Sequence, residues 1–148
     1  MTETLEDLAP KVVPELTELS KSTDERLRLL AVGALGDAGK DGAQPLGEAL
    51  RDIEESVKRE AAQSLVKLGP DAAGAVKHLA AAVEKRDTDI IGEVVSALGK
   101  IGPAAKEALP ALESLAKGEN MPENRQLSDG LKREIDKSIR KIKGEVRE

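Results

Sequence analysis

The chain has 148 residues with no cysteine and no aromatic residue, and its 28 acids against 23 Lys and Arg give a net charge of −5. Without cysteine there are no disulfides, thiolate metal ligands or cysteine nucleophile. Without Phe, Tyr or Trp there is no base stacking, no methyl-ammonium cage and no aromatic anchor for an interface.

The core therefore has to be built from Leu, Val, Ile and Ala, and no stretch approaches the ~20 apolar residues of a membrane span. Residues 1–30 lack the basic start and apolar run of a secretory signal, so the expectation is a cytoplasmic protein with no membrane partner. Charge is unevenly placed. Residues 1–25 hold seven acids against Lys11 and Lys21, whereas residues 131–143 hold six bases against Glu134 and Asp136. The chain has an acidic head and a basic last helix.

The first apolar stripe, Val12, Leu16 and Leu19, has helical spacing and predicts a helix that contains Pro14. Proline at this place implies a kink or a helix start, and Pro110 repeats it two residues before Leu112. A second helix follows with Leu27, Ala31, Leu35 and Ala38 on one face, and Asp24 stands where it can cap the start. Gly39 then ends it.

The same pair recurs. Leu46, Ala49, Leu50 and Ile53 form the next stripe, followed by Val57, Ala61, Leu65 and Leu68 and then Gly69-Pro70. Val76, Leu79 and Val83 lead to Ile90, Val94, Leu98 and Ile101 and then Gly102-Pro103, with Asp89 near a helix start. Ala108, Leu109, Leu112 and Leu115 open a fourth unit. The segment Leu35–Gly39 thus returns at Leu65–Gly69 and Leu98–Gly102, in steps of 30 and 33 residues. The last helix is predicted over Pro122 to Lys143, as the longest of eight, with Leu127, Leu131, Ile135, Ile139 and Ile142 inward. Leu131 keeps the 19-residue offset from Leu112 that Leu35, Leu65 and Leu98 keep from their own markers.

A period in the thirties with two helices per period predicts an all-α fold, an α-solenoid of about four helical hairpins in a right-handed superhelix. The units fall at about 8–42, 43–72, 73–105 and 106–143 within one domain over 1–148, with 144–148 as a frayed tail.

The string from Ala49-Leu50-Arg51-Asp52 through Val57-Lys58-Arg59 and Ala61-Ala62 to Leu68-Gly69-Pro70 resembles a HEAT repeat. It is similar to the short bacterial type named after the phycobilisome-lyase proteins, and Ala97 to Ala105 match again. The resemblance implies a ladder between neighbouring repeats, from an aspartate in the turn to a basic residue after the valine. Asp52, Lys58 and Arg28 fit it, while Lys85 and Ile91 stand at the matching places in the third unit and would break it. The family implies a binding scaffold rather than a particular activity.

No catalytic constellation, metal set or cofactor motif emerges, so neither an enzyme nor a bound cofactor is expected. His78 is the single histidine, with no second ligand beside it. Ser20, Ser22, Thr23 and Ser56 fall in turns, where capping is their expected task. The leading expectation is a monomeric scaffold that binds another protein on the concave face of the second helices. Its candidate residues are Arg28, Lys58, Arg59, Gln63 and Val66, continuing with Lys67, Ile91, Ser96 and Lys100. Val66 and Ile91 stand out as apolar where other units have glycine or a base, and Leu29 and Leu30 as apolar where others have Arg59 and Glu60.

Two alternatives remain. One is an accessory subunit of an enzyme resembling a bilin lyase. The other is weak binding of nucleic acid or an acidic partner through Lys132, Arg133, Lys137, Arg140 and Lys141. The acidic total and the missing aromatics argue against nucleic acid.

Overall fold

The computed structural model describes residues 2–145, so Val146, Arg147 and Glu148 of the expected tail lie outside the described residues. The described residues form eight α-helices and three 3₁₀ turns, with no strand among them. The helices are α1 (Leu5–Leu19), α2 (Glu25–Asp37), α3 (Ala43–Ala49), α4 (Glu55–Leu68), α5 (Val76–Glu84), α6 (Ile91–Ile101), α7 (Leu109–Ala116) and α8 (Asp129–Lys143). Each odd helix packs on the even helix that follows it, and α2, α4, α6 and α8 pack in sequence as one layer. The odd helices and the 3₁₀ turns before them make the other layer.

Local chemistry sets the element ends. Thr4 and Asp7 form a capping box at α1, and the backbone and hydroxyl of Thr4 hold the Asp7 carboxyl below its usual range. Asp24 accepts from Arg26 N at 2.9 Å and opens α2 as expected. Gly39, Gly69 and Gly102 all take φ between +57° and +75°, the left-handed region in which a Cβ is penalised. The chain does not stop there, however. Gly-Pro leads into 3₁₀ turns at Gly69–Ala75 and Gly102–Ala108 and Gly39-Lys40 into one at Gly39–Gly42, which is why α3, α5 and α7 are only seven to nine residues long. Pro110 opens α7, whereas Pro14 lies inside α1 at the cost of one backbone hydrogen bond.

Leu35, Leu46, Leu65, Leu79, Leu98 and Leu112 are fully buried in one continuous core, so both marker rows hold from the second unit on. The outliers cluster toward the acidic end. Leu19 and Leu27 are exposed because α2 has an even-numbered neighbour on one side only. Ile53 is 88 % exposed because α3 ends at Ala49 and leaves it in the turn.

The last helix corrects the expectation. It begins at Asp129, not Pro122, and its 15 residues equal α1 rather than exceed it. Gly118 and Asn120 sit at φ +71° and +57°, Pro122 follows, and Ser128 caps α8 by accepting from Leu131 N at 3.2 Å. The register shifts as well. Ser138 packs on Gly99 as Ser64 packs on Gly36, so Leu131 takes the place of Val57 rather than Leu65. Ile135 and Ile142 are the fully buried positions. The connection 117–128 is therefore longer than its counterparts 50–54 and 85–90 by about two helical turns' worth of chain.

Candidate interaction surfaces

Three surfaces stand apart on the molecule: the charged edge between repeats, the open face of the even helices, and a cleft under the 117–128 segment.

At the charged edge, Arg28 on α2 meets Asp52 with both oxygens, Nε at 2.9 Å and Nη2 at 3.1 Å, and its Nη1 reaches the Ser22 carbonyl at 2.9 Å. The Asp52 hydrogen bond raises the Arg28 pKa. On α4, Lys58 Nζ lies 3.0 Å from Asp87 Oδ2 and 3.0 Å from Asp89 Oδ2. Burial opposes the Lys58 charge, but the bonds to Asp89 and Asp87 outweigh it, so the ammonium is held above its ordinary range. Lys58 in turn lowers the Asp89 carboxyl.

The break expected at Lys85 is thus corrected: the Lys58 rung is made, and it ends at Asp87. Helix α5 runs on to Glu84, and Arg86 turns the chain at φ +55°, which places Asp87 where Asp52 stands. Both aspartates accept from the backbone amide two residues on, Glu54 N at 2.9 Å and Asp89 N at 3.2 Å. Asp89 binds Lys58 instead of capping α6, whose start has no side-chain cap. Ser56 likewise bridges repeats by donating to Glu25 at 2.8 Å. Arg28 and Lys58, candidates for a partner, are engaged inside the chain with side chains only 12 % and 14 % exposed. Arg59 bridges Glu55 and Glu93.

The open face carries the other candidates. Gln63, Val66 and Lys67 of α4, with Glu60 and Glu93, line a cleft of about 380 Å³ between α4 and α6. Ser96 is half-buried and Lys100 exposed on α6. Leu30, at the register of Glu60 and Glu93, is 70 % exposed, while Leu29 packs against the core. On α8, Lys132, Arg133, Lys137 and Arg140 are exposed and Lys141 is half-buried.

Ile91 does not join this face. It lies at the ladder edge, in the register of Arg28 and Lys58, beneath the 117–128 connection. There Ile91, Leu115, Met121, Leu127 and Leu131 wall a cleft of about 350 Å³. Arg86 and Arg125 are its cations, and among the described residues no carboxylate lines it. Periodicity hides this cleft, because Leu127 fits the stripe of the last helix equally well.

His78, expected at the solvent or groove edge, is half-buried against Gly47, where an added Cβ would lie 2.6 Å from its Cδ2. It closes α5 onto α3. Among the described residues no group of three His, Asp or Glu side chains could hold a metal, and no helix is long and apolar enough to cross a membrane.

Two layers of stacked helical pairs, tied by an Arg/Lys–Asp edge, define an α-solenoid. The family described as HEAT repeats matches residues 43–129, more than half of the sequence, and the chain belongs to that family. The α1–α2 pair and α8 extend the stack on either side of the matched stretch. A search of the curated proteins found no match.

Proposed function

We propose that the chain is a non-catalytic scaffold, a single solenoid unit over 1–148 that holds another protein across the exposed face of α2, α4 and α6. Protein–protein contact is common among HEAT repeats. The observation that carries the reading is Leu30, a long apolar side chain left 70 % exposed where the next two repeats place glutamate. Beside it run Gln63, Lys67, Ser96 and Lys100 on the even helices.

The partner that fits presents an apolar side chain to Leu30 and acids to Lys67 and Lys100. We place the protein in the cytoplasm as a monomer, and in the short bacterial class through its Ala-Leu-x-Asp and Gly-Pro positions. A second reading rests on the exposed Arg133, Lys137 and Arg140 of α8, which suit an acidic partner.

Affinity capture from the native cytoplasm separates the two. Leu30→Glu with Lys67→Glu is expected to lose the partner, and Lys137→Glu with Arg140→Glu to keep it. The reverse pattern assigns binding to α8 and overturns the first reading.

A further inference from the structure

The cleft under the 117–128 segment has the make-up of a ligand site. Ile91, Leu115, Met121, Leu127 and Leu131 give it an aliphatic side, Thr88, Asn124, Gln126, Ser128 and the two arginines a polar one, and its volume of about 350 Å³ falls within the range of small-molecule pockets. The ladder residue that would fill this edge with charge is Ile91, so the site is apolar where the two preceding repeats are ionic.

The decisive group is Arg86. The residue is 8 % exposed, and among the described residues its guanidinium meets only neutral acceptors: Nε to the Glu119 carbonyl at 3.1 Å, Nη1 to the Val83 carbonyl at 2.6 Å and Nη2 to Ser114 Oγ at 2.8 Å. A buried cation without a counter-ion is costly. Three of its N–H groups are used, and about two of a guanidinium's five stay without a protein acceptor. Arg125, across the cleft, bonds to the neutral Thr88 hydroxyl and makes no ion pair among the described residues. Asp89, whose carboxylate feels Arg125, is bound by Lys58 instead.

We infer that this cleft binds a small aliphatic carboxylate, its chain against Ile91, Met121 and Leu131 and its anionic group between Arg86 and Arg125. The anion supplies the counter-charge that the chain itself withholds from Arg86. The aliphatic body replaces water along the half-buried Ile91, Met121 and Leu131. Arg125, on the solvent side, guides the anion, and Arg86 anchors it.

The test uses the intact protein with labelled Ile and Met methyl groups, titrated with octanoate and separately with octanol. Octanoate is expected to shift the Ile91 and Met121 methyls saturably and leave the Ile53 methyl unmoved, with octanol at least tenfold weaker. Arg125→Gln should weaken octanoate several-fold without altering octanol. Ile91→Lys, which restores the basic residue of the other repeats, should abolish binding in a protein of unchanged helical signal. Equal affinity for octanoate and octanol, shifts that never saturate, or full octanoate binding by a folded Ile91→Lys protein would each overturn the assignment.

Discussion

Gly99 of α6 and Ser138 of α8 pack so closely that a Cβ on the glycine would lie 2.5 Å from the serine Oγ. Ser138 Oγ donates to the Val95 carbonyl at 3.0 Å, so one contact both brings the helices together and satisfies a buried hydroxyl. Gly36 and Ser64 repeat the close approach between α2 and α4, at 2.6 Å. Gly99→Ala and Gly36→Ala are therefore expected to destabilise by about 1–3 kcal/mol through overpacking. Gly92, in the first turn of α6 with open space around it, is the control, and Gly92→Ala should stabilise by about 0.5–1 kcal/mol. Urea melts of the three variants decide the point, and Gly99→Ala combined with Ser138→Gly should recover part of the loss.

Leu65 is fully buried at the centre of the even layer. Leu65→Ala should cost about 2–5 kcal/mol in the same melts. A smaller loss would mean that the repeat register assigned from the leucine rows is wrong.

The Lys58 rung predicts a pH dependence with two limbs. Asp89 is lowered by Lys58, so its contribution is present above the ordinary aspartate pKa of about 3.9 and is lost as pH falls through its lower folded value. Lys58 is raised, so its contribution is present below the ordinary lysine pKa of about 10.4 and is lost as pH rises through its higher folded value. Lys58→Met should flatten both limbs of a plot of melting temperature against pH. An unchanged acid limb would assign acid sensitivity to other carboxylates, with Asp7 at the α1 cap the first to examine.

Asn120 holds φ +57° within the 117–128 connection. A β-branched side chain is penalised there, so Asn120→Val should destabilise by about 1–2 kcal/mol, while Asn120→Gly stays near neutral. Thermal melts of the pair separate backbone strain from loss of the Asn side chain.

The even helices were legible because Leu35, Leu65 and Leu98 recur with glycine four residues on, and a glycine at positive φ ends each of those units. The Arg28–Asp52 rung was legible for a similar reason, since Asp52 and Arg28 stand at the family's positions. The second rung was misread, because two extra residues of α5 slide Asp87 into the place where simple counting puts Lys85. The start of α8 was hidden by its own periodicity. Leu127, Leu131, Ile135 and Ile139 are spaced by four whether or not the first of them is helical, and Leu127 is buried from a loop. Gln63, Lys67 and Lys100 of the candidate surface are exposed; the ladder positions already pointed to rungs at Arg28 and Lys58, but no spacing rule could show how little of the two side chains is left for a partner or that Ile91 faced a cleft.

The ladder ends at Ile91, and this divides the molecule by the kind of force that holds its joints. The first two junctions between even helices carry ion pairs that a rising concentration of mobile ions weakens, most where the groups are most exposed. The last junction has no such rung at Ile91 and is closed by Gly99, Ser138 and the surrounding aliphatic side chains, which added salt does not loosen. Salt therefore acts unevenly: it reaches the 12 % exposed Arg28 rung less and the half-exposed Lys143–Glu113 pair between α7 and α8 more, while the Gly99–Ser138 contact offers it nothing to screen.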